Sequence, residues 1–106
     1  MIVRHATQHE NLASIQQHGL LPERSQGKLK VTWLHTPSRT EWAILHTIGR
    51  HGETLEDIIV IEIDLPRSWL VRAQKGLWKC GRTIPAARFH RIAPASEWAA
   101  SPIKGN

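Results

Sequence analysis

Several things are scarce in this 106-residue sequence, and each scarcity excludes a class of protein. There is one cysteine, Cys80, so no internal disulfide framework can staple the fold. No apolar run approaches the roughly 18 residues that cross a bilayer, and no membrane helix is expected. The first residues, Met1-Ile2-Val3-Arg4-His5, lack the basic start, long apolar stretch and small-residue cleavage site of a secretory signal. Cytoplasmic residence is the expectation. Repeats and low-complexity tracts are missing too. Finally, acidic residues are absent from one long segment: between Leu65 and Ile92 stand Arg67, Arg72, Lys75, Lys79, Arg82, Arg88 and Arg91, with no Asp or Glu among them.

What is present describes one globular domain. The chain is 41% hydrophobic and 22% charged, with a net charge of +5, too apolar for disorder and too short for two cores. A domain of this size buries only about 60–70% of its unfolded surface, so a site is expected in an open cleft rather than a deep cavity. The one-sided basic segment creates a positive potential that attracts phosphate, on nucleic acid or on a dinucleotide. A solvated basic face with no ligand is the plainer alternative.

Along the chain, Ile2 to Ala6 reads as a strand. Thr7-Gln8-His9-Glu10 has the spacing of a capping box and predicts a helix from His9 to His18, with Leu12, Ile15 and Leu20 facing the core and Gly19 as its exit. Lys30 to Thr36 alternates like a second strand. Ser38-Arg39-Thr40-Glu41 repeats the capping spacing and opens a helix of about ten residues with Trp42, Leu45 and Ile48 on one face. Ile58 to Asp64, with four isoleucines and a valine in seven positions, suits a buried strand. Trp69 to Ala73, Leu77 to Cys80 and Arg88 to Ile92 are short strands set apart by Gly and Pro. Residues 1–92 form the expected domain, and 93–106, with Trp98 as the one large anchor, a loosely attached tail. The order gives an α+β fold: two helices packed on a small split antiparallel sheet.

Seven histidines invite a metal. Only His5 and His9 are four apart, however, one on a strand and the other on a helix, and with a single cysteine and no HExxH motif no metal site is expected. Cys80 falls on a predicted strand, where a buried structural thiol is the simpler reading than a nucleophile. The ends of the first two strands, Arg4-His5-Ala6-Thr7 and Trp33-Leu34-His35-Thr36, each lie just before a helix start, where free N–H groups attract phosphate. Trp33 there would stack on a flat ring, or else belong to the core with His5 and His35 bonded to backbone.

Val3-Arg4-His5-Ala6-Thr7, then Asn11-Leu12-Ala13-Ser14-Ile15 and Gly19-Leu20-Leu21-Pro22, resemble the opening of the ADP-ribosyltransferase superfamily. Val31-Thr32-Trp33-Leu34, Ile48-Gly49-Arg50-His51-Gly52, Ile59 to Asp64, Lys75-Gly76-Leu77-Trp78 and Thr83-Ile84-Pro85 are similar, in order and spacing, to the RNA 2′-phosphotransferase branch. Together these matches cover residues 3–92. The resemblance implies an NAD cleft between two small sheets. His5 would hold the adenosine-side ribose, Thr7 would line the same wall, and Trp33 would stand near the nicotinamide ribose, with His35 and Thr36 beside it. Arg50 would meet phosphate as a catalytic residue with His5 and Trp33. Apart from the resemblance, the basic segment offers Arg82 and Arg88 to help hold a phosphorylated acceptor.

The departures from that pattern carry meaning. The phosphotransferases have a winged-helix lobe ahead of this domain, whereas this sequence starts at the first strand. Trp33 replaces the second histidine unless a register shift brings His35 there. Leu77 falls where protein-modifying members have a glutamate. In the family reaction the ribose–nicotinamide bond breaks through an oxocarbenium-like state, and the glutamate helps activate a weak acceptor. Without it the acceptor must already be anionic. The expected function is NAD-dependent ADP-ribosyl transfer to a phosphorylated or nucleic-acid (RNA or DNA) acceptor. Two alternatives stand beside it: a catalytically silent nucleotide- or nucleic-acid-binding module of the same fold, and a small basic protein that binds single strands through Trp and Arg.

Overall fold

The Ile-rich strand is the centre of the structure. In a computed structural model, which describes residues 1–25, 27–52 and 54–99, β1 spans Ile2–Gln8, α1 Leu12–His18, β2 Thr32–His35, α2 Thr40–His51 and β3 Ile58–Asp64. They are followed by β4 Val71–Gln74, β5 Leu77–Cys80, β6 Phe89–Pro94 and α3 Ala95–Ala99. The six strands form one sheet in the order β4-β5-β2-β1-β3-β6, with every described pairing antiparallel. The expected α+β class therefore holds, and among the described residues there is one continuous sheet in place of a split one and three helices in place of two.

β3 is apolar on both sides because both sides are covered. Ile59, Ile61 and Ile63 point into a core shared with Val3, Ile15, Leu34, Trp78 and Ile84. Ile58 and Val60, on the opposite face by the two-residue period of a strand, join Ile44, Ala93, Ala95 and Trp98. Each fully buried Ile or Val contributes about 1.5–3 kcal/mol. The sheet is thus a middle layer, with α1 and the segments around Leu20 and Ile84 on one side and α2 and α3 on the other.

α1 is held to its face by a close backbone crossing. Leu20 and Ile84 exchange two hydrogen bonds of 2.9 and 3.0 Å. Gly19, at φ +78°, brings the chain so near that a Cβ there would collide with the Ile84 carbonyl. This is the exit the sequence predicts, and the crossing explains why it must be glycine.

Several expectations are corrected. Neither capping box forms at the predicted helix starts, because a 3-10 turn precedes each helix, at His9–Asn11 and Pro37–Arg39. The Thr7 hydroxyl instead accepts from the Asn11 amide at 3.2 Å, and the Ser38 hydroxyl lies 3.1 Å from that of Thr36. α2 turns Thr40, Ala43 and Ile44 inward, leaving Trp42 and Leu45 exposed. The small Thr40 and Ala43 let the helix approach the sheet beside Ile44, so of the predicted stripe only Ile48 packs on the core while Trp42 and Leu45 face outward. Arg67–Trp69 is a 3-10 turn rather than the start of a strand. Ala93, Ala95 and Trp98 are buried, so 93–99 packs as part of the domain and not as a loose tail. The expected tail residues 100–106 lie outside the described residues.

Arg4 ties four elements together. Its guanidinium donates to Glu62 Oε2 at 2.8 and 2.9 Å and to the Thr40 hydroxyl at 3.0 Å, and it stacks 4.3 Å from the Trp98 ring centre. The half-buried ion pair and the indole clamp β1, β3, α2 and α3 together. No described helix is long and apolar enough to cross a membrane.

Candidate functional site

The joint between β1 and β2 opens into a cleft. Their ladder has one residue pair, Arg4 with His35, whereas β1 and β3 pair along all seven residues. Where the next rungs would lie, the His5 imidazole reaches across, its Nδ1 2.7 Å from the Trp33 carbonyl oxygen. A carbonyl can only accept, so Nδ1 carries the proton. Burial lowers the His5 pKa, while the bond to Trp33 partly opposes the shift. The ring is therefore neutral at pH 7, with Nε2 left as an acceptor.

Directly paired residues of an antiparallel ladder share a face. His5 and Thr7 therefore lie with Ile61 and Ile59 on the α1 side, while Trp33 and His35 lie with Arg4 on the α2 side. The cleft cuts between these faces, which is how side chains from both meet in it. Its volume is about 490 Å³, within the range of about 300–1,000 Å³ usual for small-molecule and cofactor sites.

His5, Thr7, Trp33, His35 and Arg50 all line this cleft. Thr36, Arg82 and Arg88 do not. Thr36 donates its backbone N–H to Gly76 at the β4–β5 turn, and Arg82 and Arg88 lie over Trp69. Leu77, opposite His35 in the β2–β5 ladder, is on the cleft wall.

His35 is the most constrained of the set. It is 3% exposed, and its Nε2 has no hydrogen-bond partner among the described residues. Its pKa falls from 6.5 to about 3, first through desolvation and then through repulsion from His5, once that ring is protonated, and from Arg4 and Arg39. A buried polar atom without a partner costs about 1–3 kcal/mol. His35 lines the cleft, but this atom has essentially no accessible surface, so a ligand reaches it only if the neighbouring side chains move.

Sequence reasoning missed Asn11, Ser14 and Arg24 on the α1 side, and Trp42 and His46 on α2. The signal for the last two was the spacing of Trp42, His46 and Arg50, which share a stripe four residues apart. Trp42 and His46 stack with ring centres 5.1 Å apart, and Arg39 lies 4.9 Å from the Trp42 ring centre. Arg24 reaches the Ser14 hydroxyl at 2.5 Å.

The described lining contains Arg24 and Arg50 but no Asp or Glu. Among the described residues no cluster of His, Cys, Asp or Glu could hold a metal ion. Chemically, the cleft offers cations, neutral imidazoles and indole faces, a set suited to an anionic ligand with a flat ring. No protein-family model matches the chain, and no curated protein matches it.

Proposed function

We propose that the β1–β2 cleft binds NAD and that the chain transfers ADP-ribose from it to a phosphorylated or nucleic-acid acceptor, as RNA 2′-phosphotransferases do. One observation carries the reading: His5, Thr7, Trp33, His35 and Arg50, singled out through a sequence resemblance, line one cleft whose described lining has no carboxylate.

The donor set fits a dinucleotide. His5, its Nδ1 proton committed to Trp33, offers Nε2 to a ribose hydroxyl. His35 stands on the wall of the same cleft. The Trp33 indole suits a flat ring, and Arg24 and Arg50 suit phosphates. NAD supplies a glycosidic bond to a cationic leaving group, so nicotinamide needs no acid to depart. The protein's part is then to orient the dinucleotide and screen its charge. With no carboxylate among its described lining residues to act as base, the cleft favours an acceptor that arrives already ionised. A phosphate meets that need, with Arg50 as its guide.

Leu77 on the wall favours a second reading, a silent binding module of the same fold. The two separate in one assay: incubation with NAD and an oligonucleotide bearing a terminal or internal phosphate monoester, followed by quantitation of free nicotinamide. Release that depends on the phosphate supports transfer. A rise in melting temperature with NAD but no release supports the silent module, and no response to NAD removes both.

A further inference from the structure

The basic segment that the cleft leaves unused forms a surface of its own. Arg82 and Arg88 both lie over the Trp69 ring, 4.4 and 5.0 Å from its centre, and Arg67 lies 4.4 Å from the centre of Trp78. All three arginines are exposed, Trp69 is half-buried, and Trp78 is buried. None of the five lines the cleft.

Among the described residues, no carboxylate pairs with Arg67, Arg72, Arg82 or Arg88. Two guanidiniums crowded on one indole repel each other, and nothing acidic within residues 65–92 relieves them. A guanidinium held over an indole still has N–H donors to offer phosphate oxygens, although Arg67 spends one on the Leu70 carbonyl at 3.1 Å. Surface arginines held in this way have lost much of their freedom before any ligand arrives.

We infer that the Arg67–Arg82–Arg88 face, layered on Trp69 and Trp78, is a docking surface for the sugar-phosphate backbone of a nucleic-acid strand, separate from the cleft. Trp69 carries two arginines, so the face reads phosphates rather than stacked bases. An anionic bilayer fits less well, because Val71 is the one large apolar side chain of this segment that stands exposed.

The test is fluorescence anisotropy of the full chain with a labelled single-stranded RNA of about 20 nucleotides, longer than the ~4–16 one small domain covers, across about 50–200 mM salt. Arg82→Gln/Arg88→Gln is expected to weaken binding at least tenfold and to reduce the log–log salt slope by about 1.4, the value for two lost phosphate contacts. Arg82→Lys/Arg88→Lys keeps the charge but loses the stacked fork, and should fall between wild type and the Gln pair. Lys28→Gln/Lys30→Gln removes the same charge elsewhere and should shift binding less than threefold. Melting curves for each variant check that the fold persists, and Arg67→Gln serves if the Gln pair unfolds. Unchanged affinity and slope in the Arg variants, an equal loss in the Lys pair, or binding to phosphatidylserine vesicles without binding to RNA would overturn the inference. NAD-dependent stabilisation, read on the same Gln pair, should match wild type, so failure of this surface and failure of the cleft are told apart.

Discussion

The Nδ1 atom of His5 lies 2.7 Å from the Trp33 carbonyl oxygen, across the gap where β1 and β2 stop pairing. That hydrogen bond links a side chain on the α1 face to the backbone of a strand whose Trp33 and His35 face α2. It fixes the imidazole tautomer and helps define the cleft mouth. His5→Ala should abolish NAD stabilisation, which at about 100 times Kd amounts to ~2.7 kcal/mol, at a cost of only about 1 kcal/mol to the free protein. Thermal melts with and without NAD check this, and a normal NAD response in the variant removes His5 from the site.

His35 gives the fold a pH dependence with a definite sign. Its folded pKa of about 3 lies below its ordinary 6.5, so the unfolded chain binds a proton that the folded one does not. The stability it contributes is complete above pH 6.5 and is lost as pH falls from there toward 3, at up to ~1.4 kcal/mol per pH unit. Melting temperature should decline below about pH 6.5, and His35→Gln should flatten that decline. Parallel slopes for the two proteins would contradict the assignment.

Trp98 tests how far the domain extends. It is 9% exposed, packed with Ile44, Ile58 and Val60, and donates its indole N–H to the Ala93 carbonyl at 3.2 Å. Trp98→Ala should cost about 3–5 kcal/mol, measured by urea denaturation. A loss below 1 kcal/mol would restore the loose tail that composition suggests.

Gly19 tests the crossing that seats α1. Its left-handed φ and the Ile84 carbonyl beside it mean that Gly19→Ala must move backbone, at a cost of at least ~1–3 kcal/mol. The open Gly49, which has no neighbouring atoms within 4 Å of an added Cβ and sits inside α2, should instead gain about 0.5–1 kcal/mol as Ala. Equal effects at the two positions would contradict the geometry.

These particulars show what could be read from sequence. β3 was legible because a strand covered on both faces must be apolar throughout, and Gly19 because a helix exit needs a positive φ. α2 was legible as a helix but not in its orientation, since Thr40 and Ala43 face the core while Trp42 and Leu45 face outward. Size misleads where close approach to a sheet selects small residues. Among the site residues, His5, Thr7, Trp33, His35 and Arg50 meet in the cleft, whereas Arg82 and Arg88, grouped with them by charge alone, lie with Trp69. Charge records that phosphate is attracted but not which surface attracts it. Tertiary pairing decides that, and one residue pair between β1 and β2 carries no pattern in the linear sequence.

The central claim, that the β1–β2 opening is an NAD site, is tested most directly by a crystal structure of the protein grown with NAD. The account predicts the dinucleotide between α1 and α2, with a ribose hydroxyl at His5, a ligand atom against the buried His35 ring, and phosphate near Arg24 or Arg50. NAD bound elsewhere, or an empty cleft at saturating NAD, would contradict it.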